Sequence, residues 1–147
     1  GLLVIDYKGG SGRAFDGIKD DPLKGGRRLQ LPLYARVVAE KLGYEGPRTA
    51  LYWLTTKADL RPIELEDELE TELLTMVGAA LDGISGGLFP GVPGDAIGWP
   101  RVSYENCRYC DFDRICPTDR QREWDNVRPD PALAPVEILL RPKDDRQ

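Results

Sequence analysis

The chain opens on a short extended segment, and that segment narrows the choice of fold more than any other feature. Residues 2–8, Leu-Leu-Val-Ile-Asp-Tyr-Lys, have strand composition and stop at Gly9-Gly10. From about residue 28 to 42 the apolar positions Leu29, Leu33, Val37, Ala39 and Leu42 suit a mostly buried helix closed by Gly43. Pro32 then belongs in its first turn, where a missing N–H is harmless. Residues 48–56 read as a second strand, and a short strand around Ile63 pairs with it. Leu69, Leu73, Met76, Val77, Ala80, Leu81 and Ile84 form a helical stripe over 66–84, with acidic residues in its first turn. Strand, helix, strand, helix predicts an α/β fold, a mixed sheet flanked by helices.

The rest of the chain is less regular. Residues 9–26 hold six Gly among Ser, Lys and Asp and read as an exposed, mobile loop. Residues 85–101 are rich in Gly and Pro, and a polar helix is expected over 118–127. Residues 128–147, with Pro129, Pro131, Pro135 and Pro142, are expected to be an extended or poorly ordered tail. The organisation is therefore one unit over 1–127 and a tail over 128–147.

Composition removes several functions. The chain has no His, which excludes His-dependent triads, His zinc ligands and a His general base. Its net charge of −5 argues against a self-sufficient nucleic-acid binder, though not against one domain of a larger nucleic-acid machine. No apolar run is long enough for a membrane helix and no signal peptide is evident, so a cytoplasmic protein is expected. The chain does not begin with Met, and its first residues already read as a strand. A fragment lacking its N-terminal part is expected.

Side chains alternate along a strand, so Asp6 and Lys8 project from one face, roughly 7 Å apart. A carboxylate there suits a hard divalent cation, which prefers oxygen ligands. An ammonium beside it can orient a water or offset charge growing on a phosphorane. The plainer reading is a solvated ion pair at a strand end. Gln30 and Tyr34 follow, four apart and so on one face of the helix, and both carry hydrogen-bond donors.

The three cysteines, Cys107, Cys110 and Cys116, form C-x2-C-x5-C within ten residues. Such clustering favours metal ligation, and an odd count leaves one thiol over in any disulfide scheme. Thiolates without His suit an iron–sulfur centre or a Cys-only zinc site. Basic residues at Lys24, Arg27 and Arg28 could meet phosphates, though such a run is more often a solvated face. Trp53, Trp99 and Trp124 read as packing residues.

Val4-Ile-Asp-Tyr-Lys-Gly-Gly10, a glycine-bearing loop and Leu29-Gln-Leu-Pro-Leu-Tyr-Ala35 resemble the RecB/AddB-type nuclease domain of the PD-(D/E)XK superfamily. Ile84 to Pro90 and the Cys cluster resemble its C-terminal segment, so the likeness spans about residues 2–125. It implies a partial PD-(D/E)XK, restriction-endonuclease-like fold and a metal-dependent DNA nuclease, an exonuclease of DNA repair and recombination. It implies that Asp6 ligates Mg²⁺ or Mn²⁺, that Lys8 is the catalytic lysine, and that Gln30 and Tyr34 form a Gln-x-x-x-Tyr motif ordering the site and the DNA strand. The backbone carbonyl of Tyr7 is implied to face the metal. Cys107, Cys110 and Cys116 are implied to hold a structural [4Fe–4S] cluster whose fourth Cys this chain lacks. DNA is the implied substrate, and a helicase subunit or domain the implied partner. The family's further acidic residues are also missing, so the fragment alone is expected to be inactive or nearly so. Two other expectations stand beside this one, a non-catalytic iron–sulfur scaffold that grips DNA and a Cys-only zinc module.

Overall fold

The computed structural model describes residues 1–10, 12–98 and 103–140. The order of elements is β1 (Leu2–Lys8), α1 (Gln30–Leu42), β2 (Arg48–Leu54), β3 (Asp59–Glu64), α2 (Asp67–Ser85), β4 (Ala96–Ile97), β5 (Ser103–Tyr104), α3 (Arg120–Val127) and α4 (Ala134–Leu140). The main sheet runs β1-β2-β3. β1 and β2 are parallel, as a helical crossover through α1 requires, and β2 and β3 are antiparallel. The α/β fold with a mixed sheet is thus borne out, and β1 lies at its edge. No helix among the described residues is long and apolar enough to cross a membrane.

Alternation sorts the sheet into two faces. Val4, Ala50, Tyr52 and Ile63 point to one side, where Leu31 and Ala35 of α1, Leu69 of α2 and Ile18 close the core. Leu3, Ile5, Tyr7, Trp53 and Leu60 take the other side and stay exposed. Both long helices therefore contribute to the core on the Asp6 side of the sheet.

α1 begins at Gln30 with Pro32 in its first turn, as the sequence predicts, and ends by the geometry glycine permits. Gly43 is left-handed at φ 60°. Tyr44 N–H then donates to Ala39 O at 2.9 Å and Gly43 N–H to Glu40 O at 3.2 Å, which closes the last turn. Gly43→Ala forces a side chain into that left-handed conformation and should cost about 1 kcal/mol of stability. Urea unfolding checks it. An unchanged midpoint would mean that the cap does not hold the turn.

The loop over 9–26 departs from the expected exposed segment. Residues 12–15 form a short 3-10 turn, and Ile18 and Leu23 are fully buried plugs. The glycines hid two core residues, because isolated apolar side chains carry no periodicity to detect. On α2 the buried residues are Glu70, Leu73, Met76, Ala79 and Gly83, whereas Leu81 and Ile84 of the expected stripe are exposed.

The cause lies in the expected tail. Residues 131–140 are helical, not extended: a 3-10 turn (Pro131–Leu133) runs into α4. Asp130 caps the turn, its side chain accepting from Ala132 N–H at 2.9 Å. Pro131 and Pro135 stand in first turns, where they start helices instead of breaking them. α4 packs on α2, with Pro135 beside Gly83 and Leu139 against Leu23, Leu73 and Met76. Pro142 and Trp99 lie outside the described residues.

Candidate functional site

β1 carries Asp6 and Lys8 on the core-facing side of the sheet, at its polar end. Lys8 Nζ stands 2.7 Å from Asp6 Oδ2, and both side chains remain partly open to water. The strand end beneath them is fixed from two sides. Lys8 O accepts from Thr55 N–H at 3.0 Å and from Thr55 Oγ1 at 3.3 Å. Thr56 Oγ1 donates to Gly9 O at 3.1 Å. Gly12 packs against Leu54, where a Cβ would stand 3.1 Å from Leu54 Cδ1. Thr56 of the β2–β3 turn thus holds both glycines after Lys8, its hydroxyl also lying 3.3 Å from Gly10 O.

Register builds outward from this pair. Asp6 is opposite Tyr52, which is opposite Arg61; Lys8 is opposite Leu54, which is opposite Asp59. Arg61 pairs with Asp59 at 2.8 Å and reaches Asp16 at 4.0 Å. Tyr52, in the middle of the first row, is buried. Burial, and then the negative charge of Asp6, push its phenol above the usual tyrosine range, while Arg28 opposes the shift. The ring is neutral at physiological pH. It lies under the Lys8 ammonium, with Nζ 6.0 Å from the ring centroid. Tyr52, Arg61 and Phe15 were missed in the sequence. Only strand register puts Tyr52 beside Asp6 and Arg61 beyond it, and only the fold of the 9–26 loop puts Phe15 against Tyr52.

Gln30 and Tyr34 meet as expected from their spacing: Gln30 Nε2 donates to Tyr34 OH at 2.8 Å. Both are exposed, on the side of α1 away from Leu31 and Ala35, which face the sheet. Among the described residues neither is hydrogen-bonded to Asp6 or Lys8. The structure joins each pair and leaves the two pairs unlinked.

The basic residues before α1 have structural work. Arg28 is buried and donates to Ala14 O and, at 3.4 Å, to Asp21 O. Arg27 bonds Glu105 at 2.8 Å and Asn106 at 3.0 Å, fastening the segment ahead of the cysteines to the loop ahead of α1. Arg28 thus departs from the expected solvated face, whereas Arg27 stays exposed while it bonds Glu105 and Asn106. Trp124 is buried as expected, whereas Trp53 is partly exposed and stacks on Tyr7 at 5.3 Å.

Asp6 offers the oxygen donor a hard cation prefers, but one carboxylate is too few. Among the described residues no group of three His, Cys, Asp or Glu side chains could hold a metal ion. That finding also bears on the cysteines. Cys107 and Cys110 share one turn, with Cys110 N–H donating to Cys107 O at 3.1 Å, and Cys116 lies exposed beyond it. The expected iron–sulfur site is not supported: sequence proximity within ten residues did not become convergence of three thiols, because a turn followed by a 3-10 helix (Asp113–Ile115) separates the third from the first two.

A family model described as the PD-(D/E)XK nuclease superfamily matches residues 1–117, which include β1, α1 and the Asp6–Lys8 pair. No curated protein and no solved structure matches the chain. The match covers well over half of the residues, and the chain belongs to the PD-(D/E)XK nuclease superfamily.

Proposed function

We propose that this chain supplies the lysine-bearing part of a DNA nuclease site that hydrolyses phosphodiester bonds, in the service of DNA repair and recombination. The observation that carries this reading is the Asp6–Lys8 pair, 2.7 Å apart on one face of a strand within the family-matched region. Membership of the superfamily supports nuclease chemistry. The RecB/AddB-type likeness of the strand, loop and helix extends it to an exonuclease that works with a helicase subunit or domain.

The chain's own side chains supply two elements of the reaction. The Lys8 ammonium sits where it can neutralise charge developing on the phosphate oxygens and hold an attacking water. Asp6 fixes that ammonium and is proposed as one oxygen ligand of Mg²⁺ or Mn²⁺, the type of ion its superfamily generally uses. Water oxygen bonds to phosphorus, the ester oxygen leaves and takes a proton, and nothing is oxidised or reduced. Gln30 and Tyr34, exposed and mutually bonded, are proposed to orient the DNA strand. The cysteines contribute no cluster to this reading.

A second reading, a scaffold that binds DNA without cutting it, is favoured by a specific observation: Asp6 is not joined by a second and third metal-binding side chain among the described residues. One experiment separates the two. The protein in its full natural length is incubated with end-labelled linear DNA and Mg²⁺ or Mn²⁺, with a parallel sample in EDTA. The nuclease reading expects products with either ion and none in EDTA. Binding without hydrolysis under all conditions would establish the scaffold.

A further inference from the structure

We propose that Tyr52, backed by Phe15, is a positioning residue that holds the Lys8 ammonium in place for the proposed hydrolysis, on which this inference rests. Four groups from four segments line up. The Lys8 ammonium lies over the Tyr52 ring at 6.0 Å. Tyr52 packs on Phe15, ring centroids 4.7 Å apart and tilted 48°. Phe15 in turn carries the Arg28 guanidinium at 5.7 Å. Two aromatic rings are thus held between two cations, each attracted to a negative ring face. The far end is anchored, because Arg28 is buried and bonded to two carbonyls.

Lys8 therefore has two tethers of different character. The first is the Asp6 carboxylate, partly open to water and so weak and screened by salt. The second is a buried neutral ring, fixed by its strand and by the stack behind it. Any ligand that draws on the Asp6 carboxylate loosens the first tether and leaves the second intact. A core leucine would fill the Tyr52 position but offer no ring to the ammonium.

The test compares Tyr52→Phe, Tyr52→Leu and Phe15→Leu in the full-length protein. The ring tether predicts that Tyr52→Phe retains kcat within about threefold, while Tyr52→Leu loses about tenfold in kcat with KM unchanged. Phe15→Leu removes the backing and leaves the Tyr52 ring, so it should lose part of the kcat that Tyr52→Leu loses, and a loss greater than that of Tyr52→Leu would overturn the proposal. Equal losses in Tyr52→Phe and Tyr52→Leu would assign the effect to the hydroxyl and overturn the proposal, as would a change confined to KM. NMR supplies a reading independent of cleavage and of any unstable variant. The Lys8 side-chain methylene protons should be displaced upfield by the ring in the wild type and in Tyr52→Phe; unshifted protons in the wild type would overturn the proposal. A wild type that shows the ring shift and does not cut DNA sinks the nuclease reading and leaves the tether standing.

Discussion

Lys8→Ala should lower DNA cleavage by about a hundred- to a thousandfold, the usual loss when one preorganised charge is removed from a developing oxyanion. Folding should hardly change. The pair it breaks is partly exposed, with side-chain accessibilities of 39% for Lys8 and 30% for Asp6, and such pairs contribute about 0–1 kcal/mol. Activity and stability are therefore separable at this position, which makes the variant informative. Lys8→Arg should not restore the rate, because a planar guanidinium fork cannot replace a compact ammonium over the Tyr52 ring. Asp6→Asn should fall as far, and the double variant should lose little beyond either single one, since the two groups act as a unit. Single-turnover cleavage of end-labelled DNA, with unfolding curves run alongside, measures all four. Cleavage by Lys8→Ala at the wild-type rate ends the assignment of Lys8.

Glu70→Ala should cost about 2–4 kcal/mol of stability, somewhat below the loss of one member of a fully buried ion pair, because its two arginine partners are only part-buried. Glu70 is a buried acid on the first turn of α2. Its carboxylate receives Arg36 from α1 and Arg48 from the start of β2, the latter at 2.9 Å. One carboxylate thus serves two guanidiniums and ties three elements together. Among the described residues, Arg48 Nε already lacks a hydrogen-bond partner. Removing Glu70 would leave two part-buried cations facing each other with no carboxylate between them. In a chain of this size the loss corresponds to a fall in melting temperature of about 10 °C. Glu68→Ala, an exposed acid two residues earlier, should change stability by less than about 0.5 kcal/mol. Thermal and urea unfolding of the two variants decide it, and equal stabilities would show that the network holds nothing together.

Glu70 also shows where sequence reading stops. In the sequence it is one acid among several at a helix start, where the macrodipole already accounts for negative charge. Nothing local distinguishes it from Glu68. Only the tertiary fold buries that carboxylate and brings Arg36 of α1 and Arg48 of β2 to it as two part-buried partners. The same holds for Arg28, which reads as part of a basic run and proves to be the anchored end of a ring stack. Ile18 and Leu23 repeat the lesson in apolar form, single core residues in a glycine-rich stretch.

What the chain carried in plain sight was its local chemistry. Period-two and period-3.6 patterns placed β1, α1, β2 and α2, and Gly43 marked the end of α1, because these signals arise from residues a few positions apart. Spacing alone also put Asp6 beside Lys8 and Gln30 beside Tyr34. Tertiary structure decided what lies across strands and between helices: Tyr52 under the ammonium, α4 made from a proline-rich stretch, three cysteines kept from converging, and the glutamine–tyrosine pair turned outward. Such relations depend on register and packing, which are set by contacts between residues far apart in the chain, and no local pattern encodes them.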